Sequence, residues 1–160
     1  MYEYSCREDV TRYLLWSPHP SESYTYKYLT YLQSRYRAGD FYDWAIIDRE
    51  SRRMIGTCGF ASLDFENNSA EIGYVLNPEF WGKGYATEAV KRVIEFGFYD
   101  LNLHRIEARY IVGNEKSRRV MEKCGMFFEG VHISSLFVKD KYVSVGYCAI
   151  TGDRYIKHIY

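Results

Sequence analysis

The chain is 160 residues long, the size of one domain. Its 21 basic residues are balanced by 21 acidic ones, so it lacks the positive excess that drives binding to nucleic-acid backbones or anionic membrane surfaces. Apolar residues make up 47% and aromatics 18% of the sequence, which excludes the disordered class and supplies a core.

Residues 2–15 are helix-compatible, and Ser17-Pro18-His19-Pro20 stops that segment because the residue before a proline is pushed out of the α region. Ser21 is placed to cap a second helix running to about Gly39, rich in tyrosine at 24, 28, 31 and 36; these rings read first as core and substrate-side packing. From Phe41 the periodicity changes. Trp44–Asp48 and Met54–Phe60, with Leu63–Phe65 as an extension, read as a strand hairpin. After the turn residues 66–69 comes Ala70–Leu76, a strand whose faces alternate Ala70, Ile72, Tyr74, Leu76 against Glu71, Gly73, Val75.

Trp81-Gly82-Lys83-Gly84-Tyr85 then leads into a helix with a buried stripe at 86, 89, 90, 93, 94 and 97. His104–Ile111 is a further strand. Asn114 is placed to cap a helix carrying Ser117, Val120, Met121 and Cys124, and Gly125 sits where a left-handed residue ends a helix. Phe127–Val138 and Tyr142–Ile150 complete a hairpin around Lys139-Asp140-Lys141. The order predicts an α+β fold, a mixed sheet with helices on its faces.

Cys6, Cys58, Cys124 and Cys148 stand far apart, with no C-x-x-C pair and no histidine at zinc-ligand spacing. They read as reduced thiols, with no metal site. The first residues form no signal-like apolar run, and no stretch approaches the roughly 20 apolar residues of a membrane span. The expectation is a single domain over residues 1–160, cytoplasmic, with no nucleic-acid or membrane partner, as a monomer or homodimer.

The glycine turn is the first chemical signal. Gly82 and Gly84 ahead of a helix aim unpaired main-chain N–H groups at one point, where the helix dipole also favours negative charge. A pyrophosphate suits such a place. The pattern lacks the Walker sequence, has Thr87 where a dinucleotide fingerprint needs its third glycine, and follows an antiparallel meander rather than a parallel unit. Alone, the turn also fits a structural bend without a ligand.

It does not stand alone. The stretch AEIGYVLNPEFWGKGYATEA (70–89), followed by LHRIEA (103–108), NEKS (114–117) and EKCG (122–125), closely resembles the GNAT superfamily of acetyl-CoA-dependent N-acetyltransferases. Within it, the branch acetylating N-terminal amines of ribosomal proteins is the nearest likeness. The resemblance implies two central parallel strands, those of Glu71 and of residues 106–110, that splay apart to admit the pantetheine arm of acetyl-CoA. It further implies main-chain contacts from Val75 and Leu76 to that arm, and pyrophosphate binding by N–H groups of Gly82, Lys83, Gly84, Tyr85, Ala86 and Thr87. Asn114 and Ser117 would line the far side.

Three departures accompany the likeness. Trp81 stands where the family's loop commonly begins with Arg or Gln; Met121 stands where many members carry a general-acid tyrosine; and the fold's first strand is missing ahead of the first helix, which leaves the strand around Trp44 at an open edge.

By the same resemblance an amine attacks the thioester directly, which requires a base, an oxyanion donor and help for the leaving thiolate. Glu71 is the candidate base, through a water, with a surface salt bridge as its structural alternative. Ser117 is the candidate donor to the thiolate, or else a small residue that lets the helix approach. The oxyanion donor would be a main-chain N–H near Leu76. Asn114 serves as cap, as cofactor contact, or both. Lys83, Arg118 and Arg119 face phosphates or solvent. Cys124 is core, and His104 and His132 have no partner spacing for chemistry. The expected activity is acetyl transfer from acetyl-CoA to a primary amine, with a protein N-terminus as the leading acceptor. The alternatives are a small-molecule amine acceptor and a non-catalytic acyl-CoA-binding module.

Overall fold

In the computed structural model, which describes residues 1–39 and 41–159, the meander expected from Phe41 onward consists of β1 (Asp43–Ile47), β2 (Met54–Asp64) and β3 (Ser69–Leu76). The expected domain span of 1–160 includes residues 40 and 160, which lie outside the described residues. A 3₁₀ turn at Pro78–Phe80 and the glycine turn lead into α4 (Tyr85–Tyr99). Next come β4 (Arg105–Ile111), α5 (Glu115–Lys123), β5 (Phe127–Val138) and β6 (Lys141–Thr151). The six strands form one sheet in the order β1-β2-β3-β4-β6-β5. Every neighbouring pair is antiparallel except β3 with β4. Among the described residues β1 is an outer strand of the sheet.

Strand alternation divides the sheet into two faces. On one, Cys58, Phe60, Ile72, Ile106, Ala108, Tyr110, Cys148 and Ile150 pack against Val90, Val93, Ile94 and Phe98 of α4 and Met121 and Cys124 of α5. The buried stripe of α4 lies where its apolar spacing placed it. The other face presents Asp43, Thr57, Gly59, Glu71 and Gly73, and the N-terminal helices meet the molecule there. Among these α3 (Glu22–Ala38) starts at Ser21, whose hydroxyl accepts from Tyr24 N at 3.2 Å, and ends at Gly39 with φ 78°.

Two segments depart from the sequence expectation. Residues 2–15 form two separate turns, α1 (Tyr2–Ser5) and α2 (Glu8–Thr11), because Arg7 is extended between them (φ −94°, ψ 134°) with its guanidinium on both Asp9 oxygens at 2.9 and 2.8 Å. The chain also closes with an unexpected helix, α6 (Gly152–Ile159). The β5–β6 turn behaves as its sequence suggests: Lys139 and Asp140 both take positive φ (50° and 62°), the geometry that matches strand twist in a tight hairpin. Lys139 Nζ reaches across to Thr11 O at 2.6 Å and ties the hairpin to α2. Among the described residues no helix is long and apolar enough to cross a membrane.

Candidate active site

The one parallel pair is incomplete. β3 and β4 pair only at Ser69–Arg105, Ala70–Ile106 and Glu71–Glu107, although β3 continues to Leu76 and β4 to Ile111. Beyond Glu71 the strands part, and a cleft of about 1270 Å³ opens between them. Asn77 N donates to Ile55 O at 2.7 Å, so antiparallel alternation turns the peptide groups of Val75 toward β2 and those of Leu76 toward the gap. Val75 and Leu76 both line the cleft, and the Leu76 N–H faces the opening. The Leu76 carbonyl is already taken by the Trp81 indole N–H at 2.7 Å. The Trp81 ring in turn lies under the Lys116 ammonium, 4.3 Å from its centroid. Trp81 thus bridges from β3 to α5.

At the mouth, Gly82 and Gly84 adopt φ of 74° and 92°, the left-handed region that a side chain enters only with strain, and a Cβ on either would meet no atom within 4 Å. The space above the turn is open. Gly84 caps α4 without a side chain, leaving the first-turn N–H groups unsatisfied by the helix itself. Gly82, Gly84, Tyr85, Ala86 and Thr87 all line the cleft. Lys83 is not among the lining residues; its ammonium sits over the Phe80 ring at 5.4 Å. Arg119 lines the cleft, while Arg118 pairs with Glu122 at 2.9 Å and stacks on Phe128.

Across the gap, Asn114 caps α5 by accepting from Ser117 N at 3.3 Å, and both residues line the cleft. Ser117 Oγ is 2.8 Å from the Tyr74 hydroxyl, and that hydroxyl also lies 2.9 Å from Ser117 O. Burial pushes the Tyr74 phenol well above its ordinary range, so it stays protonated and joins β3 to α5 across the opening. The sequence pattern assigned Tyr74 to the core face and gave no sign of this bond. Met121 is fully buried beside it.

Glu71 occupies the last paired position before the strands part. Arg109 Nε lies 2.7 Å from its Oε1. Burial raises the Glu71 carboxyl above the usual carboxylate range, and Arg109 pulls it back. The salt bridge expected as the structural alternative is present, but it lies in the cleft rather than on open surface. Neither Arg109 nor Asp43, a second carboxylate in the lining, was singled out by sequence, because each belongs to the site only through strand pairing. Tyr28, Tyr31 and Leu32 of α3, with Trp16 and Phe41, wall the same end. Below them His19, buried, meets Ser5 Oγ at 3.1 Å and Thr25 Oγ1 at 2.7 Å and fastens α3 to α1. Cys124 is buried with its thiol near Thr87 O, and burial raises its pKa to about 11, the setting of an inert thiol.

Comparison with known proteins agrees with this geometry. Residues 1–127 match the acetyltransferase (GNAT) domain family. The uncharacterized N-acetyltransferase p20 of Bacillus licheniformis is 36% identical over 129 residues, 81% of this chain and 72% of that protein. Across four such relatives the match spans 50% to 73% of their own lengths. A GNAT-family acetyltransferase from Bacillus anthracis superposes with a TM-score of 0.85 at 29% identity, covering 96% of this chain and 87% of that one. The spermidine N-acetyltransferase of Vibrio cholerae, solved with CoA and spermine, shares the fold: TM-score 0.81, 24% identity, 97% and 89% coverage. A ribosomal-protein-S5-alanine acetyltransferase from Vibrio fischeri gives 0.76 at 25% identity, with 94% and 88% coverage. These relatives are named for different acceptors.

Proposed function

Because this chain belongs to the GNAT acetyltransferase family and so is an N-acetyltransferase, we propose that its donor is acetyl-CoA and its acceptor a primary amine, with a protein N-terminal α-amine as the leading class. The observation that carries the reading is the parting of β3 from β4 beyond Glu71, with an open glycine turn at its mouth. We take residues 1–160 as one catalytic domain. The four free thiols suit a reducing, cytoplasmic setting.

Bound acetyl-CoA supplies an activated thioester, and the chain's residues supply placement and proton handling. Main-chain N–H groups of residues 82–87 hold the diphosphate, each such bond to a charged group being worth roughly 1.5–3 kcal/mol. The Leu76 N–H is the proposed donor toward the acyl oxygen. Asn114 and Ser117 line the far wall of the arm. Glu71 takes the proton of the incoming ammonium through a water, and Arg109 keeps it ionised against burial. An α-ammonium, with a pKa of about 7.7–8.0, yields that proton more readily than a lysine at about 10.4. Ser117 donates toward the leaving sulfur once the Tyr74 hydroxyl turns its proton from the Ser117 carbonyl to Ser117 Oγ, which frees the serine proton.

Isothermal titration with acetyl-CoA, run beside thiol release on a panel of peptides and small amines, tests the reading. Saturable binding with amine-dependent release is expected. Binding without release on any amine would leave a non-catalytic module.

A further inference from the structure

The acceptor end of the cleft holds a carboxylate that the proposed chemistry leaves unused. Asp43 opens β1 opposite Gly59, and Gly59 lies opposite Gly73 on β3. Directly opposed residues project to the same face, so Asp43 and Glu71, two positions from Gly73, flank a strip of sheet that carries no side chain. A Cβ on Gly59 would fall 2.2 Å from Asp43 Cα, whereas one on Gly73 would meet only Ala61 Cβ at 3.7 Å.

Asp43 lines the cleft with Tyr28, Tyr31 and Phe41. Its carboxyl accepts from the Trp44 N–H, and burial, which outweighs that bond, pushes it up to about 6. Nearby, Tyr4 is fully buried, feels the charge of Asp43, and has a hydroxyl without a hydrogen-bond partner. A carboxylate with a single main-chain donor, set beside aromatic rings in the cleft wall, forms a complement for an ammonium or guanidinium group.

We propose that Asp43, with Tyr28 and Tyr31, binds a second positive charge on the acceptor, remote from the amine that is acetylated. The inference rests on the acetyl-transfer reading and refines its acceptor to an amine with a remote cation. A peptide with Lys or Arg in second place carries one, and so does a diamine.

The test compares kcat/KM for two peptides differing only in Ala-Lys against Ala-norleucine, and for a diamine against a monoamine of equal length, in wild type and Asp43→Asn. In wild type at least one charged member is preferred by roughly tenfold or more, and in Asp43→Asn that preference falls below about twofold with acetyl-CoA affinity unchanged. The pair that responds identifies the source of the charge. Asp43 has a raised folded pKa, so its stability contribution is present at low pH and lost as pH rises through about 6. Removing the charge therefore raises Tm at pH 7.5, which also verifies folding, and Asp43→Ser is the second variant should the first misfold. Equal rates within both pairs in wild type, or a preference that survives in the variants, overturns the inference and leaves acetyl transfer standing. Acetyl-CoA binding without transfer to any of the four amines overturns both.

Discussion

The two ends of the cleft recognise by different means. At the mouth, contact is offered by main chain: two glycines with positive φ, the open first turn of α4, and the Leu76 amide. At the inner end it is offered by side chains: a wall of tyrosines, Trp16, and the carboxylates of Asp43 and Glu71. Main-chain amides are the same in every residue, so they suit a ligand portion that never varies. Side chains can be exchanged without disturbing the backbone, so they suit the partner that differs between relatives.

Substitutions at either end should separate the two. The largest effect is expected at the mouth. Gly84→Val places a branched side chain at φ 92° over the open space, and its acetyl-CoA affinity should fall about 100-fold or more by calorimetry. Unchanged affinity would remove the turn from the diphosphate site. At the inner end, Glu71→Gln should lower kcat on the order of 100-fold with little change in acetyl-CoA Kd. The raised Glu71 pKa means that the carboxylate gains its proton earlier as pH falls, so wild-type kcat declines on acidification. The variant should show no such decline, and a shared profile would exclude Glu71 as the base.

Tyr74 joins the two walls of the cleft and should give a smaller effect. Tyr74→Phe removes the bond to Ser117 and is expected to reduce kcat about three- to tenfold without altering KM. Combined with Ser117→Ala it should add little if the Tyr74 hydroxyl acts through Ser117 Oγ; additive losses would mean that it acts through its bond to the Ser117 carbonyl instead. The smallest effect belongs to Lys83→Ala, less than about twofold on acetyl-CoA Kd, since that ammonium sits over Phe80 rather than in the cleft.

What could be read from the sequence follows the same division. The glycine turn, the Asn114 cap, the Gly125 terminator and the Lys139-Asp140 hairpin depend on a few adjacent residues, and each takes the geometry its chemistry requires. Tyr74 with Ser117, Arg109 with Glu71, and Asp43 across from Gly59 depend on which strands lie side by side, and no local pattern encodes that. The N-terminal break shows the opposite limit. Helix-compatible composition over residues 2–15 is overridden by one extended residue, Arg7, held by its bond to Asp9. The α6 segment follows β6 without a capping or periodic signal strong enough to mark it.

The three-pair seam between β3 and β4 has a thermodynamic consequence. Past Glu71 the facing backbone edges of β3 and β4 do not pair with each other. An extended thioester tail laid there completes the missing row and binds only the native form. Resistance to heat should therefore climb with the logarithm of donor concentration, as mass action requires. On this account the molecule finishes folding each time it is loaded.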